Sequence, residues 1–204
     1  FEVPDCEESF KKRDYVSLWE EHIFYFTKKT LLNLLKKSGF KIVYFERYNY
    51  SYENVLIAIV SIDNVNKFEK SVKYNIPKIK FNNKNLILDR SIIHRKIQSF
   101  KKNNYKICLF GTGHSALTFV NILKIHNKID LIIDDDKNKE NMLLPGSSLK
   151  IKNSNYLKKF DKVIIILGVN FESEKKIMKK LSKLNLYTKC YSVYKNSSYN
   201  FFKR

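Results

Sequence analysis

Two short stretches hold the residue types from which chemistry is built. The first is "SLWEEHIFYFT", residues 17–27, where Trp19, Glu20, Glu21 and His22 stand together. An imidazole that titrates near neutrality, beside a carboxylate that can orient it, is a proton-transfer pair. The same letters also read as a packed helix, with Trp19, Ile23 and Phe26 facing inward at i, i+4 and i+7 and Glu20 and Glu21 in water. Spacing leaves both readings open. The second stretch is Gly111-x-Gly113-x-x-Ala116, followed by an acid at Asp134. Glycines there permit a tight turn and let backbone N–H groups approach a phosphate at a helix N-terminus, while the acid at the next strand end can hold a ribose hydroxyl. His114 sits inside the turn. This pattern fits a dinucleotide or nucleotide-sugar phosphate, and it equally fits a tight strand-to-helix turn that holds no ligand.

Other polar groups carry less. Asp134, Asp135 and Asp136 are consecutive, so their side chains leave a strand end in different directions and do not converge on one metal. Cys6, Cys108 and Cys190 are odd in number and far apart, with no metal-ligand spacing and no disulfide framework. They fit a reducing cytoplasm. His94 lies in a basic helix and His126 at a helix end, and both read as surface residues. Pro145-Gly146 makes a turn and Ser147-Ser148 continues it as a loop.

The elements that must position these groups follow from periodicity. "TKKTLLNLLKKSGF" is a helix with Leu31, Leu32, Leu34 and Leu35 on its apolar face, Thr27 as its cap and Gly39 as its stop. Residues 15–26 read as helical or turn-rich. "FEVP" reads as a strand, and residues 41–50 and 54–63 as two strands joined by a short turn. Helix followed by hairpin is how many parallel-sheet domains end at an edge. Residues 64–88 read as a connector with a short helix at 65–74. Residues 89–104 form a helix, with Asp89 as its cap and Ile93, Ile97 and Phe100 on one face. Then strand 105–110, turn, helix 115–125, strand 129–133, strand 161–170, helix 172–186 and strand 189–194 alternate as in a parallel sheet. The expected fold class is α/β: a helix plus β-hairpin over residues 1–63, the connector, and a Rossmann-like parallel-sheet domain over 89–204.

Composition narrows the function classes. No apolar run approaches the roughly 18 residues of a membrane span, and no signal peptide is visible. The net charge is +19. Residues 1–62 hold nine Lys/Arg and nine Asp/Glu, whereas residues 63–204 hold thirty and eleven. The basic half suits an acidic or phosphorylated partner. The Lys residues are spread rather than striped and no nucleic-acid-reading motif accompanies them, so nucleic acid is not the expected partner. Abundant Lys, Asn, Ile and Tyr with scarce Arg also fits the amino-acid drift of an AT-rich genome.

Taken in order, "FEVPD", "EEHIFYFTKKTLLNLLKKSGFKI", a hairpin, "FGTGHSALTFV", "LIIDDD" and "LLPGSSLKI" resemble the sugar C-methyltransferase family over nearly the whole chain. Those enzymes use S-adenosylmethionine on nucleotide-linked keto-deoxysugars. The resemblance implies a chain that starts at a late strand of the methyltransferase domain. It places the Gly-rich S-adenosylmethionine loop and a zinc-binding segment upstream of Phe1, and leaves the isolated chain inactive without them. The family motif Tyr-x-Glu-His followed by Tyr-Phe matches at Glu21-His22 and Tyr25-Phe26, with Trp19 where the family has Tyr. His22 is then the expected base that takes a proton next to a ketone, with Glu21 as its partner and Trp19 and Tyr25 at the substrate. Gly111, Gly113, His114 and Asp134 are the expected substrate contacts of the second domain. The Gly-rich turn lacks the family's Lys, and Pro145-Gly146 is kept. A different class of reading also stands: a Rossmann-like module that binds a nucleotide or nucleotide sugar and does no chemistry. Neither reading specifies an oligomeric state.

Overall fold

The computed structural model describes residues 1–18, 22–50, 54–62, 83–184 and 187–202. The chain divides into two compact units. One comprises Phe1–Arg13 and Glu20–Phe81, the other Asp14–Trp19 and Asn82–Arg204.

In the first unit, β1 (Glu2–Asp5), α1 (Glu7–Lys12), α2 (Lys28–Lys37), β2 (Lys41–Asn49) and β3 (Asn54–Ser61) build an antiparallel sheet of order β1-β3-β2. Helix α2 starts where the sequence places it. The Thr27 hydroxyl accepts from the Thr30 N–H at 3.3 Å, and Thr30 Oγ1 accepts from the Thr27 N–H at 2.8 Å, a reciprocal capping box. It ends before Gly39, whose φ of 82° is left-handed. Leu31 and Leu35 pack on Leu56 and Ala58 of β3. Asp5 is buried at the end of β1, ion-paired to Arg47 Nε at 2.6 Å and accepting the Glu7 N–H at 3.1 Å. Next to it, the Cys6 N–H donates to the Phe26 carbonyl at 2.8 Å and fixes Phe26 against the sheet.

The second unit holds α3 (Asn83–Lys102), β4 (Lys106–Phe110), α4 (His114–Ile122), β5 (Leu131–Ile133), β6 (Ile151–Lys152), β7 (Lys162–Leu167), α5 (Phe171–Leu181) and β8 (Tyr187–Ser192). Its five strands are all parallel, in the order β6-β5-β4-β7-β8. The chain steps outward from β4 on one side, returns to β7 on the other, and so reverses direction between β4 and β7. That is the doubly wound, Rossmann-like arrangement. Strands β4 and β7 are apolar on both faces because both are covered: Ile107 and Leu109 face one core cluster, Cys108 and Phe110 the other.

Three local expectations are corrected. Asp89 does not cap a helix; α3 begins at Asn83, and Asp89 is a buried interior residue held by partners distant in sequence. Among the described residues of 15–26 the regular element is a turn of 3₁₀ type at Tyr15–Ser17, and Ile23 is 85% exposed rather than facing inward, whereas Phe26 packs on the core. His94 is half-buried rather than a plain surface residue, with Nε2 3.0 Å from the Leu123 carbonyl. The expected helix at 65–74 lies outside the described residues. No described helix is long and apolar enough to cross a membrane.

Candidate functional site

The glycine turn between β4 and α4 is built from contacts on three sides. Gly111 has φ 95°, and a Cβ there would lie 2.9 Å from Val169 Cγ1 and 3.0 Å from the Gly168 carbonyl. Only glycine satisfies both the left-handed backbone and the packing. Its N–H donates to the Ile133 carbonyl at 2.7 Å, and the Gly168 N–H donates to the Phe110 carbonyl at 2.8 Å. The turn is thus locked between the ends of β5 and β7. Gly113 differs. It is exposed, and a Cβ there would meet nothing within 4 Å, so its surface is open to approach. It is the N-cap of α4 and supplies no side-chain cap.

Asp134 closes the turn. Its Oδ2 accepts from the Thr112 N–H at 3.0 Å and the Thr112 hydroxyl at 2.6 Å, and it pairs with Lys139 Nζ at 3.3 Å. Its Oδ1 accepts from the Asp136 N–H at 3.0 Å. Burial pushes this carboxyl up, but the Thr112 hydroxyl, the Asp136 N–H and Lys139 outweigh it and hold it below the ordinary carboxylate range. A ribose diol would therefore have to displace donors from within the protein. Asp135 is engaged separately, by the Ser154 N–H at 3.0 Å and Lys180 at 2.8 Å. The three acids engage separate partners, and among the described residues no group of three or more His, Cys, Asp or Glu is placed to hold a metal ion.

His114 is the first residue of α4. Its Nε2 lies 2.9 Å from the Leu18 carbonyl and 3.1 Å from Thr118 Oγ1. Ser115 meets the Tyr194 hydroxyl at 2.9 Å.

In the first unit, His22 is exposed and its ring stands edge-on to Tyr25, with centroids 6.0 Å apart and planes at 77°. Tyr25 also meets Phe10 at 6.1 Å. Trp19 and Glu21 lie outside the described residues. The structure therefore brings His22 and Tyr25 together in one unit, and Gly111, Gly113, His114 and Asp134 together in the other.

A Gly-rich turn at the end of the first strand of a parallel sheet, with the chain reversal beside it, matches a known domain. The family model described as the C-methyltransferase C-terminal domain covers residues 61–188, more than half of the chain. The chain belongs to that family. Comparison with curated proteins returned no match. Among solved structures, part of the chain is similar to UDP-D-quinovosamine 4-dehydrogenase from Vibrio fischeri. The two share 22% identity over 43% of this chain and 77% of that one, with a TM-score of 0.33.

Sequence reasoning missed two features of the second unit. Gly168 is as necessary to the turn as Gly111, because a Cβ there would sit 2.4 Å from the Ala116 methyl. Ala116 thus occupies the fingerprint's third glycine position because a glycine opposite makes room for it. The pattern "ILGVN" after a buried strand was the available signal. The second is a buried polar cluster: the Tyr15 hydroxyl donates to Asp89 Oδ2 at 2.6 Å, and Lys195 Nζ donates to the same oxygen at 2.9 Å. No local pattern links residues so far apart.

Proposed function

We propose that this chain is the C-terminal portion of an S-adenosylmethionine-dependent C-methyltransferase acting on a nucleotide-linked keto sugar, with His22 as the base. Family membership is the observation that carries this reading, and the match of Glu21-His22 and Tyr25-Phe26 to the catalytic motif gives it residues. Methyl transfer to a carbon next to a ketone needs that carbon's proton removed first. The C–H electron pair becomes the enolate, the proton passes to the His22 imidazole, and Glu21 steadies the resulting cation. The exposed position of His22 suits a group that must reach a substrate, and the Tyr25 ring beside it supplies a wall with a hydroxyl for orientation.

The methyl donor supplies an electrophilic sulfonium methyl. Asp134 is committed to Thr112 and Lys139, so it does not offer that donor a free ribose ligand. Gly113, with its open face at the start of α4, is the point where a diphosphate of the nucleotide sugar would approach backbone N–H groups. Gly111, Asp134 and His114 hold that turn in shape.

The test is His22→Asn in the full-length enzyme, incubated with the keto sugar in deuterated water and no methyl donor. Wild type should exchange the proton at the acceptor carbon. The variant should lose roughly 10²–10⁴-fold of that exchange, the usual worth of a general base, while binding the nucleotide sugar as before. Unchanged exchange moves the base elsewhere, with Glu21 next.

A further inference from the structure

The charge of the second unit is sorted between the two ends of its sheet. Three connections enter the sheet at the N-terminal ends of β4, β5 and β7, over residues 101–106, 124–130 and 158–162. Together they hold eight lysines, two aspartates and no arginine. Four segments leave the C-terminal ends of β4, β5, β7 and β8, over residues 111–115, 134–140, 168–174 and 193–197, and together they hold six acids and three lysines. One end of the sheet is therefore basic and the other acidic. Amino-acid drift toward lysine would load both ends alike.

Contacts tie the basic connections into one surface. Lys101 Nζ pairs with Asp130 Oδ1 at 2.9 Å, and Asp130 Oδ2 accepts the Ile107 N–H at 2.8 Å, so the first two connections meet. Lys162 Nζ lies 6.0 Å from the centroid of the Tyr105 ring, which joins the third connection to the first. Lys102, Lys106, Lys158, Lys159 and Lys162 are exposed. In an open parallel sheet a ligand sits outside the C-terminal strand ends. These lysines lie at the opposite end, so attraction of a nucleotide-sugar diphosphate does not account for them.

We infer that this lysine-rich end of the Rossmann-like unit is a docking surface for the anionic headgroups of a lipid bilayer. Three observations set the chemistry of the partner. Every Lys/Arg position in the three connections is lysine, a hydrated point charge suited to diffuse attraction, whereas specific recognition of a single phosphate or carboxylate favours the arginine fork. The charges come from three separate connections and so cover an extended face, which is what attraction to a charged plane uses. The half-buried rings of Tyr105 and Tyr156 have Lys162 and Lys159 over them, at 6.0 and 4.8 Å, so they do not form an open platform for nucleobases. Attachment through lysines alone is reversible and weakens with salt.

The experiment is co-sedimentation of the 204-residue chain with vesicles of phosphatidylcholine alone, or of phosphatidylcholine with about one third phosphatidylglycerol. The chain should sediment with the anionic vesicles at about 0.1 M salt, be released at about 0.5 M, and stay in solution with phosphatidylcholine alone. Lys158→Gln, Lys159→Gln and Lys162→Gln combined should lower the partition coefficient roughly 10²-fold, about fivefold for each lysine neutralised. All three side chains are exposed, so the variant keeps its core. The control removes the same charge from the first unit, through Lys29→Gln, Lys36→Gln and Lys41→Gln, three further exposed lysines. It should sediment as wild type does. Failure of wild type to sediment with anionic vesicles overturns the inference. So does a loss that the control shares equally, because net charge rather than this surface would then govern binding. Capture of polyglutamate or single-stranded RNA by a chain that ignores the vesicles also overturns it, and gives the surface to an acidic polymer instead.

Discussion

The glycine turn after β4 and the stretch around His22 are both short connections between regular elements, and they are built oppositely. At the turn almost every group is committed. Gly111 and Gly168 are packed to contact, and both Asp134 oxygens hold donors. Around His22 the apolar side chains Ile23 and Phe24 stand in solvent, and the imidazole is exposed. The contrast teaches how to weigh motifs. A glycine-and-acid spacing first satisfies the needs of a tight turn, and ligand binding is an addition that its open residue, Gly113, permits. Ile23 and Phe24, exposed as they are, contribute little to folding, so a role for this stretch has to be tested through function.

The comparison can be broken by substitutions that should affect one region and spare the other. The largest expected effect is the loss of deuterium exchange in His22→Asn, with thermal stability changed by no more than about 0.5 kcal/mol, as for an exposed site. A large loss of stability would mean that His22 is a packed residue. Gly168→Leu should do the reverse. Its side chain would start 2.4 Å from Ala116 Cβ, so the variant should lose about 3 kcal/mol or more by denaturant titration, the upper range for overpacking. Wild-type stability there would mean that the turn is loosely packed.

Asp134→Asn sharpens the electrostatic side. The carboxyl is held below its ordinary range in the folded state. Its contribution to stability is therefore present above the unfolded pKa of about 3.9 and fades as pH falls through the lower folded value. The variant should be less stable by about 1–3 kcal/mol at neutral pH, the scale of hydrogen bonds to a charged group. The gap to wild type should close as the pH drops below about 4. Asp135 is also held low, by Lys180 and Ser154 against its burial, so part of the acid sensitivity should persist in the variant. A gap that widens at low pH would contradict the assignment. The smallest effect is expected from Phe24→Ser, within about 0.5 kcal/mol of wild type, because the ring is already 72% exposed.

Much of the fold was legible because the relevant forces act over a few residues. The Thr27 cap and the Gly39 stop are local, and the Ile93–Ile97 stripe repeats within one helix. The apolar strands β4 and β7 stand out from the charged sequence around them, and their alternation with helices implied the parallel sheet. The resemblance carried by Glu21-His22, Tyr25-Phe26 and the glycine turn led to the family, and the family match over 61–188 bears out its C-methyltransferase C-terminal part.

Tertiary structure decided what depends on distant partners. Asp89 looked like a helix cap because aspartate before an apolar run is a good local signal. Its actual partners, Tyr15 and Lys195, are 74 and 106 residues away, and burial with them outweighs the cap preference. Residues 15–26 carry helical spacing, yet Tyr15 and Val16 gain more by entering the core of the Rossmann-like unit than a helix facing solvent would provide. Gly168 is needed only because Ala116 approaches it across the sheet. The link from His114 to Leu18 spans 96 residues. The sequence by itself determined the buried strands β4 and β7, the Thr27 cap, the Gly39 stop and the catalytic-motif resemblance, all of which follow from short-range periodicity and residue type. Which side chains meet across the fold was decided by packing alone.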